Sequence, residues 1–140
     1  MLSSFWSRWL LVVTLAITAL GGVLACAAVP GLEGPTLALL ALMHGQTQLD
    51  ETLRFAIGLM GAVTFGWGLT LMTIVRAAVA HPDLGPALWR PVTASLALWW
   101  LVDSAISVST GFALNAASNT LLLASWILPL QASGLLRRPA

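Results

Sequence analysis

The stretch Leu96-Ala97-Leu98-Trp99-Trp100-Leu101-Val102-Asp103-Ser104-Ala105-Ile106-Ser107-Val108-Ser109-Thr110-Gly111 decides how this chain is built. An aspartate stands inside a membrane-grade apolar run, where an ionisable side chain is expensive to keep. Hydrophobic residues make up 59% of the chain and charged residues 8%, and the mean hydropathy is +0.92. The sequence reads as an integral membrane protein whose few polar groups carry the functional information.

At 140 residues the chain is a single domain. Membrane helices of about 20 residues, each crossing about 30 Å of hydrocarbon, occupy nearly all of it and leave no room for a soluble catalytic domain. The net charge is +1 and the six basic residues are all arginines, scattered rather than gathered; no nucleic acid is expected as a partner. Cys26 is the single cysteine, so an intrachain disulfide is impossible. Without cysteine and histidine clusters, no metal site is expected.

Apolar run length gives four spans. The first covers about residues 9–29 and stops at Pro30-Gly31, where proline lacks a donor and glycine frees the backbone. The second covers about 52–80 and ends at His81-Pro82-Asp83. The third covers about 87–110, with Pro91 in its first turn. The fourth covers about 112–134, with Pro129 a potential kink. Between the first two, residues 36–43 are apolar but too short to cross, which suits a short interfacial helix over one end of the bundle. Gly111 makes the third-to-fourth turn very tight, so those helices are expected as antiparallel neighbours. The fold class is therefore all-α: an integral membrane four-helix bundle with a short interfacial helix between its first two members.

Cytoplasmic flanks carry an arginine excess. Arg8, Arg76, Arg90, Arg137 and Arg138 fall on one side, and only Arg54, beside Glu33, Asp50 and Glu51, on the other. The bias places both termini in the cytoplasm and residues 30–51 outside. Trp6, Trp9 and Trp89 suit the inner interfacial belt, while Trp67, Trp99 and Trp100 lie deeper as packing groups. Val23-Leu24-Ala25-Cys26 resembles a bacterial lipobox, which is cut before a cysteine that becomes lipidated. An uncleaved first helix, with Cys26 a small core residue, is the reading taken here.

If Gly111 is the apex of a hairpin, residues equally far from it share a depth: Asp103 matches Asn119 and Ser107 matches Asn115. Asp103, Ser107 and Thr110 follow i, i+4, i+7 spacing, and Asn115 and Asn119 follow i, i+4, so each set forms one stripe. A polar seam of about 12 Å by helical rise results. A carboxylate in low dielectric needs a cation or several donors to stay ionised. Arg54, starting the second helix on the same side, is expected to pair with Asp103, with Glu51 competing for it from three residues away.

The seam has two readings. It fixes helix register, since interhelical hydrogen bonds in membranes contribute about 0.6 kcal/mol on average. Or it lines a pocket, roofed by residues 36–43, that takes a small hydrophobic or amphiphilic ligand. A proton path is weaker, because no second acid continues inward. The candidate polar site is Arg54, Asp103, Ser107, Asn115, Asn119 and Glu51. Small residues mark close helix approach: Gly58, Ala62 and Gly66 recur every four residues, as do Thr18, Gly22 and Cys26, while Gly61 and Gly68 smooth an adjacent stripe. His44 and His81 fall in loops at opposite ends of the second span and cannot share a haem or metal. No catalytic triad or phosphate loop is present, so an enzyme is the less favoured class.

The segment from Leu49 to Gly61 resembles the start of the second helix in small four-helix bacterial membrane proteins of the DoxX-like group, with Arg54, Gly58 and Gly61 at Arg-x-x-x-Gly-x-x-Gly spacing. The resemblance covers one helix and implies fold more than activity, although the group's name links it to quinone-coupled sulfur oxidation. The expectation is a non-catalytic bacterial inner-membrane protein that binds a ligand in its polar pocket. An accessory subunit of a membrane complex is the alternative, and a lipid- or quinone-linked enzyme component the third reading. Expected partners are membrane lipid and a second copy or complex subunit.

Overall fold

A computed structural model of the chain describes residues 2–45 and 48–137. Arg138, counted above in the basic flank, lies outside the described residues. The helices are α1 (Ser4–Ala25), α2 (Gly34–His44), α3 (Glu51–Ala80), α4 (Gly85–Ser109) and α5 (Ala113–Ala132), with a 3₁₀ turn over Cys26–Ala28. Four of them, α1, α3, α4 and α5, are long and apolar enough to cross a membrane, and α2 is a shorter apolar helix. Among the described residues there is no strand, and the class is all-α with the short helix between the first two long ones.

The ends follow local chemistry. Asp50 Oδ1 accepts the Leu53 amide at 2.7 Å, capping α3. At the end of α4, Gly111 takes φ +88°, the Phe112 amide reaches Ser107 O at 2.7 Å and the Gly111 amide reaches Val108 O at 3.3 Å. This left-handed closure satisfies two terminal carbonyls and suits glycine, which has no Cβ to clash. Two expectations shift. With a proline at its first or second position, α4 starts at Gly85 rather than Ala87, so Pro91 falls in the second turn. His44, expected in a loop, is the last residue of α2.

The chain divides into two compact units, Thr14–Leu71 and Met1–Val13 with Met72–Ala140. In the first, α1 and the 3₁₀ turn lie against α3 through small residues. A Cβ on Gly21 would collide with Phe65 backbone, one on Gly61 with Ala25 backbone, and one on Gly68 with Thr18. A Cβ on Gly58 would come within 2.6 Å of Ala28 Cβ. The contact stripes are thus Thr18-Gly21-Ala25-Ala28 and Gly58-Gly61-Phe65-Gly68, paired in antiparallel order. This corrects the predicted packing set. Gly66 meets nothing within 4 Å and Gly22 only the edge of Phe65 at 3.8 Å, while Ala62 is exposed. The reason is rotation: a strict four-residue step drifts about 40° around a helix of 3.6 residues per turn, whereas alternating steps of three and four stay on one face. The α2 helix is tied to this unit by Thr36, fully buried, whose hydroxyl donates to Val23 O at 2.6 Å.

In the second unit α4 and α5 form a tight antiparallel hairpin, and Leu10, Val75, Trp89, Leu96, Trp126 and Leu130 form its core. Trp126 packs edge-on against Trp89 with centroids 6.1 Å apart and donates its indole N–H to Thr93 Oγ1 at 3.0 Å. Trp89, expected in the inner interfacial belt, is 1% exposed, covered by its partner ring on α5. Trp6 and Trp9 stack edge-on with Phe5 beside them, and Trp9 Nε1 donates to Ser125 O at 2.9 Å. Outward positions such as Leu98, Leu101, Leu121 and Leu128 are each more than half exposed, as suits a surface solvated by acyl chains.

Candidate functional site

Asp103 lies on α4, six residues before its end, and faces α5. One carboxylate oxygen collects the donors: Oδ1 accepts from Asn119 Nδ2 at 2.7 Å, Asn115 Nδ2 at 2.8 Å and Ser107 Oγ at 3.2 Å. The Ser107 hydroxyl also donates to Asp103 O at 2.8 Å and accepts from Asn115 Nδ2 at 2.8 Å. Ser107 and Asn119 are buried, at 5% and 7% exposure, and Asp103 and Asn115 are half-buried. The hairpin register places Asp103 opposite Asn119 and Ser107 opposite Asn115. Among the described residues, Asp103 Oδ2 carries no hydrogen bond. Thr110 does not join: its hydroxyl turns back to Ile106 O at 2.7 Å.

The polar cross-linking continues away from the turn, where Trp100 Nε1 donates to Thr120 Oγ1 at 3.0 Å and Thr93 receives Trp126. These threonines escape a sequence reading because a single hydroxyl in an apolar helix usually bonds its own i−4 carbonyl, as Thr120 also does at 2.8 Å. The neighbouring Ser104 Oγ is buried and, among the described residues, has no partner.

Arg54 finds its partners inside the first unit. Its guanidinium donates to Ala27 O at 2.9 Å and pairs with Glu33 Oε1 at 3.3 Å, both side chains about a quarter exposed. Arg54, expected to pair with Asp103, is taken up within its own unit by Ala27 O and Glu33. The cause is the end of α1. The last carbonyls of a helix have no intrahelical donor, and an arginine at the start of the packed neighbour supplies one to Ala27. Glu51, the expected competitor, is exposed in the first turn of α3, where a negative charge complements the helix dipole. Glu33 takes the pairing role that sequence reasoning gave to Asp103 and Glu51. In the Arg54-x-x-x-Gly58-x-x-Gly61 motif, the arginine closes the end of α1 and the glycines let α1 approach.

Comparison with protein-family models, curated proteins and solved structures gives no match. The site's chemistry must therefore be read from its own atoms. Among the described residues, no group of three histidine, cysteine, aspartate or glutamate side chains could hold a metal ion. Among the described residues, Asp103 meets neutral donors only, two amides and a hydroxyl. Such an arrangement holds a carboxyl group firmly and leaves one acceptor oxygen for something else.

Glu33 titrates in a way that tests the second site. Its carboxyl lies below the ordinary value of 4.5, held there first by its own backbone amide, against the opposing effect of burial, and then by the Arg54 hydrogen bond, the Gly31 amide and the Arg54 charge. A depressed folded-state value means stability that is present above the unfolded value and is lost as pH falls through the folded one. Because Glu33 leads into α2, with the Leu37 amide on Glu33 O at 2.9 Å, α2 is expected to loosen only below pH 4.5. Amide exchange of α2, corrected for intrinsic rates, should rise in that window in the parent chain and show no such acid transition in Glu33→Gln.

Proposed function

We propose that the chain is a non-catalytic protein of a bacterial inner membrane, both termini cytoplasmic, whose Asp103 site lies toward the outer face and receives the polar head of a small amphiphile. One observation carries the reading: three donors converge on Asp103 Oδ1 while, among the described residues, Oδ2 accepts none. A ligand suited to it brings a hydrogen-bond donor, a hydroxyl or ammonium group, on an apolar body that fits among the exposed leucines of α4 and α5. The DoxX-like resemblance of Arg54, Gly58 and Gly61 supports a common four-span architecture in this reading and assigns no activity.

The test uses dodecylamine and dodecanol as probes of the purified full chain in neutral detergent, read by native mass spectrometry. Asp103→Asn keeps a carbonyl to accept from the asparagines but turns an amide donor toward the ligand side. Wild type should retain the amine at least tenfold better than the variant. Equal retention by the two chains would refute the pocket. The second reading, an accessory subunit in which Asp103 only fixes register, is favoured by the closed bonding between α4 and α5. It is supported instead if a stoichiometric partner co-purifies from native membranes with wild type and Asp103→Asn alike.

A further inference from the structure

The end of the second unit where α4 begins carries a different site. A shallow cleft there is lined by Ser7, Val79, Pro82, Trp89 and Leu135 among others, so the start of α1, the end of α3, the start of α4 and the segment after α5 meet around it. Each contributes an exposed arginine close in sequence to a lining residue: Arg8 beside Ser7, Arg76 one turn before Val79, Arg90 beside Trp89, and Arg137 two residues after Leu135. Arg90 is held to the segment after α5, its Nε and one terminal nitrogen donating to Leu136 O at 3.3 and 3.1 Å. Among the described residues, Asp83 and His81 are the other titratable groups of this end, both exposed in the turn between α3 and α4. Among the described residues, arginines there outnumber carboxylates four to one. Trp89 is 1% exposed, yet among the described residues no acceptor takes its indole N–H.

An indole N–H without an acceptor among the described residues, on the wall of an apolar cleft whose lining residues have four exposed arginines close by in sequence, suits an anionic oxygen attached to a greasy body. We propose that this cleft seats the phosphodiester head of an acidic phospholipid, with the Trp89 indole N–H and the arginine rim as its donors. The aromatic group of Phe5, Trp6 and Trp9 on the first turns of α1 fits the same level, since tryptophan favours the headgroup region. The inference needs the helices to lie in a bilayer and is independent of Asp103.

Native mass spectrometry of the full chain, offered phosphatidylglycerol and phosphatidylcholine of equal acyl length, tests it. Wild type should retain the acidic lipid in large excess. Each rim arginine is expected to be worth about fivefold in retention, the effect of about 1 kcal/mol per basic residue near an anionic surface. Arg76→Gln with Arg137→Gln should therefore abolish most of the preference. Trp89→Phe, which keeps the ring against Trp126 and removes only the N–H, should weaken it several-fold. Should the double variant fail to fold, wild type in rising salt replaces it, because screening shortens from about 10 Å at 0.1 M to about 3 Å at 1 M and should release the lipid. Equal retention of the two lipids overturns the proposal. So does a preference untouched by Trp89→Phe, which would mean diffuse surface charge, or one erased by millimolar inorganic phosphate, which would mean a free-anion site.

Discussion

Gly61→Leu is expected to prevent α1 from docking on α3, and even Gly61→Ala should destabilise the chain by about 1–3 kcal/mol or more, the range for overpacking a filled site. The argument is geometric. The atoms that a new Cβ would strike at Gly61 belong to the backbone of Leu24 and Ala25, so no rotamer change makes room. The helices must part, and a gap of about 0.5–1 Å already forfeits a quarter to a half of each dispersion contact across it. In a bilayer, where lipid tails are as apolar as leucine and no hydrophobic force draws helices together, those contacts are most of what holds the pair. Gly66→Ala is the matched control: with open space around it, it should be neutral or stabilising by up to about 1 kcal/mol through helix propensity. Unfolding in a graded series of denaturing detergent measures both, and equal losses for the two would place the interface on the wrong stripe.

Asp103→Leu should lower hairpin stability by about 1–3 kcal/mol, the penalty for stranding buried donors. The substitution leaves the amides of Asn115 and Asn119 facing a methyl group, while the Ser107 hydroxyl keeps the backbone carbonyl of residue 103. Asp103→Asn, which preserves an acceptor, should stay within the limit of about 1.7 kcal/mol seen for single interhelical hydrogen bonds in membranes. Adding Asn119→Leu to Asp103→Leu should recover part of the loss, because removing both partners costs less than removing one. The double-mutant cycle in the same detergent series reads this directly. A loss for Asp103→Leu no larger than that for an exposed position such as Leu101→Ala would mean that the cluster does not hold the hairpin.

The sequence reveals the parts of this structure that depend on distance along the chain. Apolar run length located all four long helices and the short one, because hydrocarbon thickness sets a length that is independent of packing. Gly111 set the hairpin register by counting, and with it the neighbours of Asp103. What stayed hidden depends on rotation and on irregular backbone. Gly58, Gly61, Gly66 and Gly68 offer two overlapping small-residue stripes, and composition alone does not choose between them. The partners of Arg54 lie in a 3₁₀ turn and the loop after it, where no periodicity projects Ala27 O or Glu33 toward a neighbour. The place of Trp89 near a helix end does not reveal that it is covered, and only Trp126, 37 positions on, explains its burial.

The Schellman closure at Gly111 bears on how the chain leaves the ribosome. An aspartate disfavours partitioning of a helix from the translocon by about 2.5–3.5 kcal/mol at the helix centre, and by less toward an end, where Asp103 stands in α4. Here the side chains that solvate it emerge only 12 and 16 residues later, on a segment folded straight back by a single tight reversal. Helices α4 and α5 are thus expected to enter lipid most readily as one folded pin, the carboxyl group arriving with its own substitute for water.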